Sequence, residues 1–342
     1  MMMRLLFYLC AMALVSAVAM AGTATPEAPV ELVGTKGKFD SIEIDAAARR
    51  LLACHTENNT LDVVGLGDGK LTKSIPTGAA QGVAIDAKNG RYYVSVSQPP
   101  KVVIIDSAKL EVIGEVALPG AADLLAYHEG TNRLFVCGAE KPEMWVVDPE
   151  GKTVVKTIAL SGGGLEDLGF DVAGNFLFVN LEETNEIARI DAAKLEVIDV
   201  WPTAPSEQPH GLVVIPVKGD LLIAGANGKL TNRHALSGRL VEIADIAPKS
   251  DQIAYDPALS MVYCASGTGV ISVVNVKDDI FIPQPPIPSE QGAHSIAVDP
   301  QTHALWIAYA KGEQSFVQKI GIAVPPAGPT PKAGATASPV AK

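Results

Sequence analysis

The chain has 342 residues and a formal net charge of −11, with 48% of its residues apolar and only 19% charged. This length allows one large all-β domain or two ordinary domains, and the apolar share is enough for a substantial core. The acidic balance argues against nucleic acid and anionic membrane surfaces as partners, because neither attracts an acidic protein.

The first residues have the three parts of a secretory signal peptide. One positive charge, Arg4, precedes an apolar stretch, and small residues follow at Ala19 and Ala21. We expect residues 1–21 to be removed and residues 22–28 to form a short linker. The apolar run is short for a membrane span and lacks a basic stop signal, so we expect no span in the mature protein. The predicted location is periplasmic or extracellular.

From residue 40 onward the sequence repeats a unit of 41 to 44 residues. Each unit begins with a polar residue and a short apolar strand, as in "QGVAID" and "HSIAVD", and three further strands separated by turns follow. Helical periodicity is nowhere sustained. The seven opening residues are Asp40, Gln81, Asp123, Glu166, His210, Asp251 and His294. Seven units of four strands predict an all-β, seven-bladed β-propeller over residues 29–323.

The two ends of the repeat region predict how the ring closes. The unit that begins at His294 has only three good strands, whereas the strand at residues 29–34 precedes the first unit and belongs to none. We predict that this N-terminal strand completes the last blade, which removes an exposed sheet edge. A parallel β-helix would need a shorter period, and a β-sandwich would not repeat so regularly. Residues 324–342 contain five prolines and no acidic or aromatic residue, and are expected to form an extended tail.

Three cysteines remain after the expected cleavage. Cys54 and Cys137 occupy the same site in the second strands of blades one and three, and Cys264 matches that site in blade six if one turn is a residue shorter. Equivalent sites in non-neighbouring blades are too far apart for a disulfide bond. We therefore predict three buried free thiols that pack as small apolar groups.

Two stretches, "IPTGAAQGVAIDAKNGRYYVSV" and "QPHGLVVIPVKGDLLIAGANG", resemble the YVTN-type β-propeller repeat. The first blade, "KFDSIEIDAAARRLLACHTENNTLDVVGL", is similar to the opening blade of the exported bacterial branch of that family. The resemblance spans about residues 30–323, although the Tyr-Val-Thr-Asn motif never occurs intact. It implies an exported seven-bladed propeller and carries over no agreed catalytic residue, so the activity stays open.

The opening residues are also the candidate site, because propeller ligands usually bind at a mouth of the central channel. We predict a ligand-binding mouth formed by Asp40, Gln81, Asp123, Glu166, His210, Asp251 and His294. His210, Asp251 and His294 come from consecutive blades and combine imidazoles with a carboxylate, which suits a divalent cation or proton transfer. These three residues are the predicted metal ligands. A solvated polar mouth without an ion is the competing interpretation.

Two classes of function remain open. The one we favour is a non-catalytic module whose mouth binds a small ligand, a cation or a basic protein partner, since loop acids such as Glu57, Glu182 and Glu183 would deepen a negative funnel. The alternative is a metal-dependent hydrolase resembling gluconolactonase-type propellers, which hold a cation among carboxylates but normally have six blades. No Cys-x-x-Cys-His or Gly-x-Ser-x-Gly motif occurs, so the sequence indicates neither covalent haem nor a serine nucleophile elbow.

Overall fold

The structure is a computed structural model that describes residues 23–171, 173–215 and 219–324. Within this part, the strands form seven antiparallel sheets whose first strands neighbour one another around a central channel. The predicted seven-bladed β-propeller is therefore confirmed. The only helical segment among the described residues is a 3₁₀ turn at Glu182–Thr184. None of the helices described is long and apolar enough to cross a membrane.

Each blade runs from an inner first strand to an outer fourth strand. In blade one the strands are Ile42–Asp45, Arg50–His55, Thr60–Gly65 and Leu71–Pro76. In blade two they are Ala80–Asp86, Arg91–Val96, Lys101–Asp106 and Glu111–Ala117. In blade three they are Ala122–His128, Arg133–Gly138, Glu143–Asp148 and Thr153–Ala159.

The remaining blades follow the same order. Blade four has Leu165–Phe170, Phe176–Leu181, Glu186–Asp191 and Glu196–Pro202. Blade five has Pro209–Val214, Asp220–Gly225, Lys229–His234 and Leu240–Asp245. Blade six has Ser250–Asp256, Met261–Ser266, Val270–Lys277 and Ile280–Pro288. Blade seven has Ser295–Val298, Leu305–Lys311 and Gln314–Ile322, together with the N-terminal segments Ala24–Pro26 and Val30–Glu31.

The hydrophobic core lies between blades, because each blade packs face to face on its neighbours. Leu52 of blade one, for example, belongs to one buried cluster with Tyr92 and Val103 of blade two. The second and third strands are covered on both faces and read as nearly continuous apolar runs such as "RLFVCG". The fourth strands have one exposed face, which carries polar residues such as Glu111 together with apolar ones such as Ile113 and Val155. Because the inner strands are buried and the outer strand is partly exposed in every blade, the apolar pattern of the sequence repeats from blade to blade.

The ring closes through the N-terminal segment, as predicted. Val30 pairs with Val317 in the third strand of blade seven. The closing strand also extends further back than residue 29, since Ala24 pairs with Ile322 in the same third strand. Residues 24–26, placed in the linker by the sequence, are thus part of the blade in the structure. The signal-peptide prediction and nearly all of the predicted tail lie outside the described residues.

A second contact joins blade one to blade seven, the two blades between which the ring closes. Both guanidinium nitrogens Nη1 and Nη2 of Arg49 in blade one donate to the carboxylate of Asp299 in blade seven, each at 2.7 Å. Burial alone would raise the pKa of Asp299, but the hydrogen bonds from Arg49 and Thr302 outweigh it and hold the pKa at about 2. The bidentate geometry makes this a strong ion pair.

A buried polar network joins blade one to the closing segment. His55 is fully buried, with Nδ1 2.7 Å from Oδ2 of Asp62 and Nε2 3.1 Å from the carbonyl oxygen of Gly37. Ser315 in blade seven donates to the same Gly37 carbonyl at 2.9 Å. His55 therefore has a structural role: it links three parts of the chain that are distant in sequence.

The three cysteines are free and buried, as predicted. The predicted position of Cys264 is wrong, however. Ile253 pairs with Cys264, whereas the equivalent inner-strand residue Val83 pairs with Val94, the residue before the small site. The small site of blade six is therefore occupied by Ala265. All seven turns between the first two strands preserve the same spacing, so no shortening is needed.

Candidate functional site

A recurring β-bulge places the opening residues at the channel. In blades two to six the pairing of the first two strands is interrupted at this point, as between Ala80 and Val83 and between Pro209 and Leu212. Each interruption leaves the opening residue and the one after it out of regular pairing. Bulges redirect side chains in this way and are common next to functional sites. In these five blades, local backbone geometry thus holds the polar opening residue at the inner rim.

The rim encloses a cavity of about 310 Å³ at the mouth of the channel. Five of the seven predicted site residues line it: Asp40, Asp123, Glu166, His210 and Asp251. Each comes from a different blade, so the ring of inner strands brings together residues up to 211 positions apart in the sequence. The structure tests their placement only, and ligand binding by them stays a prediction.

The other two predicted residues do not line this cavity. The side-chain amide of Gln81 donates instead to Oγ of Ser97 at 3.0 Å and to the carbonyl oxygen of Ala79 at 3.2 Å, within its own blade. His294 lines a neighbouring cavity, although its Nδ1 atom lies 2.9 Å from Oδ2 of Asp251. His294 is therefore at the border of the mouth.

Four further polar residues that line the cavity were not among the predicted site residues: Ser41, Glu43, Asp167 and Gln252. Asp167 and Gln252 directly follow opening residues and lie in the same bulges. Their positions in the repeat could therefore have identified them as residues of the mouth. Glu43 lies between the buried Ile42 and Ile44, and strand alternation alone would have pointed it away from the core and into the channel.

Three of the opening carboxylates, those of Asp40, Asp123 and Glu166, have raised pKa values. Burial, together with the neighbouring charges of Asp123 and Asp251, raises the pKa of Glu166 to about 8 despite the opposing effect of His210. Burial and Asp251 raise the pKa of Asp123 to about 6. The pKa of Asp40 is also raised well above its ordinary value, by burial first and then by Asp123. Desolvation and like charges act in the same direction here.

Two residues that directly follow opening residues tie the inner strands together. Asp167 accepts hydrogen bonds from the backbone N–H groups of Leu168 at 2.9 Å and Leu212 at 3.0 Å, but burial still raises its pKa to about 7. Gln252 accepts from the backbone N–H of Ile296 at 3.0 Å and donates to the Ile42 carbonyl at 3.0 Å, so it crosses from blade six to blades seven and one.

His210 is the single basic side chain among the residues that line the cavity. Its Nδ1 atom lies 2.9 Å from the carbonyl oxygen of Gln208, which fixes Nδ1 as a donor. Its Nε2 atom points at two acids, with Oε1 of Glu182 at 3.8 Å and Oε1 of Glu166 at 4.0 Å. Burial lowers the pKa of His210, but the carboxylates, Glu166 first, raise it overall. The imidazole is thus arranged as a cation among acids.

The geometry groups the candidate metal ligands differently from the sequence prediction. One ligand atom from each of Glu166, Glu182 and His210 lies within 4.8 Å of the others. Asp251 and His294 instead pair with each other at 2.9 Å. Glu182 joins the first group because of the loop after the second strand of blade four. The 3₁₀ turn at Glu182–Thr184 in that loop brings Oε1 of Glu182 to 3.8 Å from Nε2 of His210.

The comparisons with known proteins agree with the fold. No protein-family profile and no curated protein sequence matches the chain. A hydrazine synthase chain from Kuenenia stuttgartiensis superposes with a TM-score of 0.70 at 14% identity, covering 81% of this chain and 94% of that one. The WD40 repeats of RRP9 give a TM-score of 0.76 at 10% identity, covering 87% and 99%. U3-55K gives 0.73 at 10% identity, covering 85% and 99%. At these identities the likeness establishes the β-propeller fold alone.

Proposed function

We propose that this protein is an exported, YVTN-type β-propeller that acts as a non-catalytic module and binds a cation-bearing ligand at its channel mouth. One observation carries the proposal: the cavity at the mouth is lined by six carboxylic acids and one histidine. The acids are Asp40, Glu43, Asp123, Glu166, Asp167 and Asp251. β-Propellers commonly serve as binding modules, and the negative charge of these acids favours ligands that carry a cationic group.

Crowding these acids into one cavity is electrostatically unfavourable. Without a ligand, protons retained by the acids reduce the repulsion between neighbouring carboxylates. The pKa values of Glu166 and Asp123 are raised by burial first and also by this repulsion. A divalent cation or an ammonium group in the cavity would replace those protons as counter-charge. It would also bind the folded state only, since the ring of acids exists only when all the inner strands are assembled.

Isothermal titration calorimetry tests the proposal with two simple probes, Mn²⁺ and hexylamine. We expect at least one of them to bind the purified chain, and Glu166→Gln to weaken that binding about tenfold, because the acid at the centre of the cluster is lost. Glu111→Gln is the matched control, since Glu111 is exposed at the start of an outer strand. Absence of heat with both probes, or equal effects of the two substitutions, would contradict the proposal.

The exported location rests on the N-terminal sequence. A mature chain that begins near Gly22 and is recovered from the periplasm or the medium of the native host is the expected result. A chain that begins at Met1 and remains in the cytoplasm would refute this part of the proposal and leave the binding site unaffected.

A metal-dependent hydrolase is the second candidate, favoured by the close approach of Glu166, Glu182 and His210. Two carboxylates and an imidazole can hold a Zn²⁺ or Mn²⁺ ion that activates water. Lactone hydrolysis that depends on added Mn²⁺ and is lost in Glu182→Gln would favour this candidate over the binding module. Mn²⁺ binding without turnover would favour the binding module.

A further inference from the structure

A second cavity, of about 300 Å³, borders the channel mouth between blades seven and one. It is lined by Lys38, Phe39, Gly292, His294, Ala308, Tyr309, Ala310 and Gly312. His294 connects the two cavities, because it lines this one and contacts Asp251, which lines the first. Phe39 lies directly before Asp40 in the chain, so the two cavities also share one stretch of backbone.

The charge of this side cavity is opposite to that of the mouth. None of the residues that line it is acidic, whereas Lys38 and His294 supply two basic groups. Two acids nearby have partners of their own: Glu57 accepts the backbone N–H of Lys38 at 2.9 Å, and Oε2 of Glu290 lies 3.3 Å from Nζ of Lys311.

The walls of the side cavity are apolar. Phe39 and Tyr309 are each only 4% exposed, and Ala308 and Ala310 complete the surface between them. Gly292 and Gly312 leave open space where a side chain would begin, because nothing lies within 4 Å of the position of an added Cβ. A ligand that enters here meets an apolar floor with basic groups at its edge, the usual composition of a small-molecule pocket.

We infer that the ligand is zwitterionic: its cationic group occupies the acidic mouth, and a carboxylate on the same molecule binds at Lys38 and His294 in the side cavity. The inference rests on the proposed function and narrows its ligand class. Adjacent cavities of opposite charge would recognise both ends of an amino-acid-like compound, with a short apolar segment across Phe39 and Tyr309. Each end would discriminate against a ligand that lacks the matching charge.

Three matched probes test the inference: 6-aminohexanoate, which carries both charges, hexylamine, which carries only the cation, and hexanoate, which carries only the carboxylate. Titration calorimetry on the purified chain should give a dissociation constant for 6-aminohexanoate at least tenfold lower than that for hexylamine. Hexanoate alone should bind weakest, because the acidic mouth beside the side cavity repels it.

Substitutions test the contributions of the two cavities separately. Lys38→Gln should remove the advantage of 6-aminohexanoate over hexylamine and change hexylamine binding less than twofold. Lys36→Gln is the matched control, because Lys36 is exposed two residues away and does not line the cavity. If hexylamine binds and 6-aminohexanoate gains nothing, the inference is overturned while the proposed function stands. If neither hexylamine nor Mn²⁺ binds, both fail.

Discussion

The Nδ1 atom of His294 lies 2.9 Å from Oδ2 of Asp251, and this ion pair joins blades seven and six at the rim of the channel. It places the imidazole of His294 between an acidic cavity and a basic one. The other histidine of the mouth, His210, lies beside Glu166 and Glu182. The electrostatic pattern of the mouth therefore depends on which acid each of the two histidines pairs with.

The pH dependence of stability should be inverted relative to most proteins. Glu166 and Asp167, with pKa values of about 8 and 7, keep protons in the folded state that the unfolded chain releases near pH 4. The raised pKa of His210 acts in the same direction, its contribution being lost as pH rises through the folded-state value. The pKa of Asp299 is lowered to about 2, so the contribution of Asp299 to stability is lost only below pH 5.

We therefore expect the free energy of unfolding to fall by on the order of 2 kcal/mol between pH 5 and pH 8. Urea unfolding at the two pH values measures it. Glu166→Gln should reduce the difference, and Glu111→Gln should leave it unchanged. A protein that is more stable at pH 8 than at pH 5 would show that the mouth does not retain protons.

The buried network around His55 predicts a large cost for a single substitution. His55→Ala should lower the free energy of unfolding by about 3 kcal/mol, because it leaves the fully buried Asp62 without its imidazole partner. His234→Ala, at the partly exposed end of the third strand of blade five, should change it by less than about 0.5 kcal/mol. Equal effects in thermal or urea unfolding would mean that the network does not hold blade one to the closing segment.

Blade five contains a buried polar residue whose removal should stabilise the fold. Asn232 is fully buried opposite Leu222, and neither its Nδ2 nor its Oδ1 atom has a hydrogen-bond partner among the described residues. Asn232→Leu should raise the free energy of unfolding by about 1 to 2 kcal/mol, since an unpaired buried amide is costly.

Asn180 offers a matched comparison for that substitution. It is equally buried, but its Nδ2 atom donates to the carbonyl oxygen of His210 at 2.8 Å. Asn180→Leu should therefore destabilise the protein by about 1 to 3 kcal/mol and shift the opening residue of blade five. Opposite signs for the two substitutions, measured by urea unfolding, are the expected result. The same sign for both would contradict this account.

The closing strand should be indispensable and the proline-rich tail should not. Deletion of residues 23–34 removes both segments that pair with the third strand of blade seven and exposes its edge. We expect loss of cooperative unfolding or aggregation in analytical ultracentrifugation. Deletion of residues 325–342, the control, should leave the melting temperature unchanged. A soluble, cooperatively folded protein without residues 23–34 would refute the closure.

The fold could be predicted from the sequence because each blade repeats one physical solution: a polar opening residue, buried inner strands and tight turns at constant spacing. The closing strand at residues 29–34 could be predicted because the last unit has one strand too few and this strand belongs to no unit. The segment Ala24–Pro26 could not be predicted, since an outer strand needs little apolar patterning and its partner lies almost 300 residues away. Cys264 was misplaced because two small residues, Cys264 and Ala265, stand side by side.

The candidate site could be predicted only as a ring of positions. Which acid faces which histidine depends on side-chain geometry that spacing does not contain. Glu182 approaches His210 because of a 3₁₀ turn, and Gln81 turns back to Ser97 because that hydroxyl is available. The side cavity at Lys38 and His294 combines the two ends of the repeat region, so no single unit of the sequence shows it.

The central claim, that the acidic mouth binds cations, is tested most directly by locating a bound one. Crystals of the purified chain soaked in Mn²⁺ and measured at the manganese absorption edge would give an anomalous difference map. We predict a peak inside the mouth, within coordinating distance of Glu166, Glu182 and His210. An empty mouth, with manganese found only at acids on the outer surface, would contradict the account.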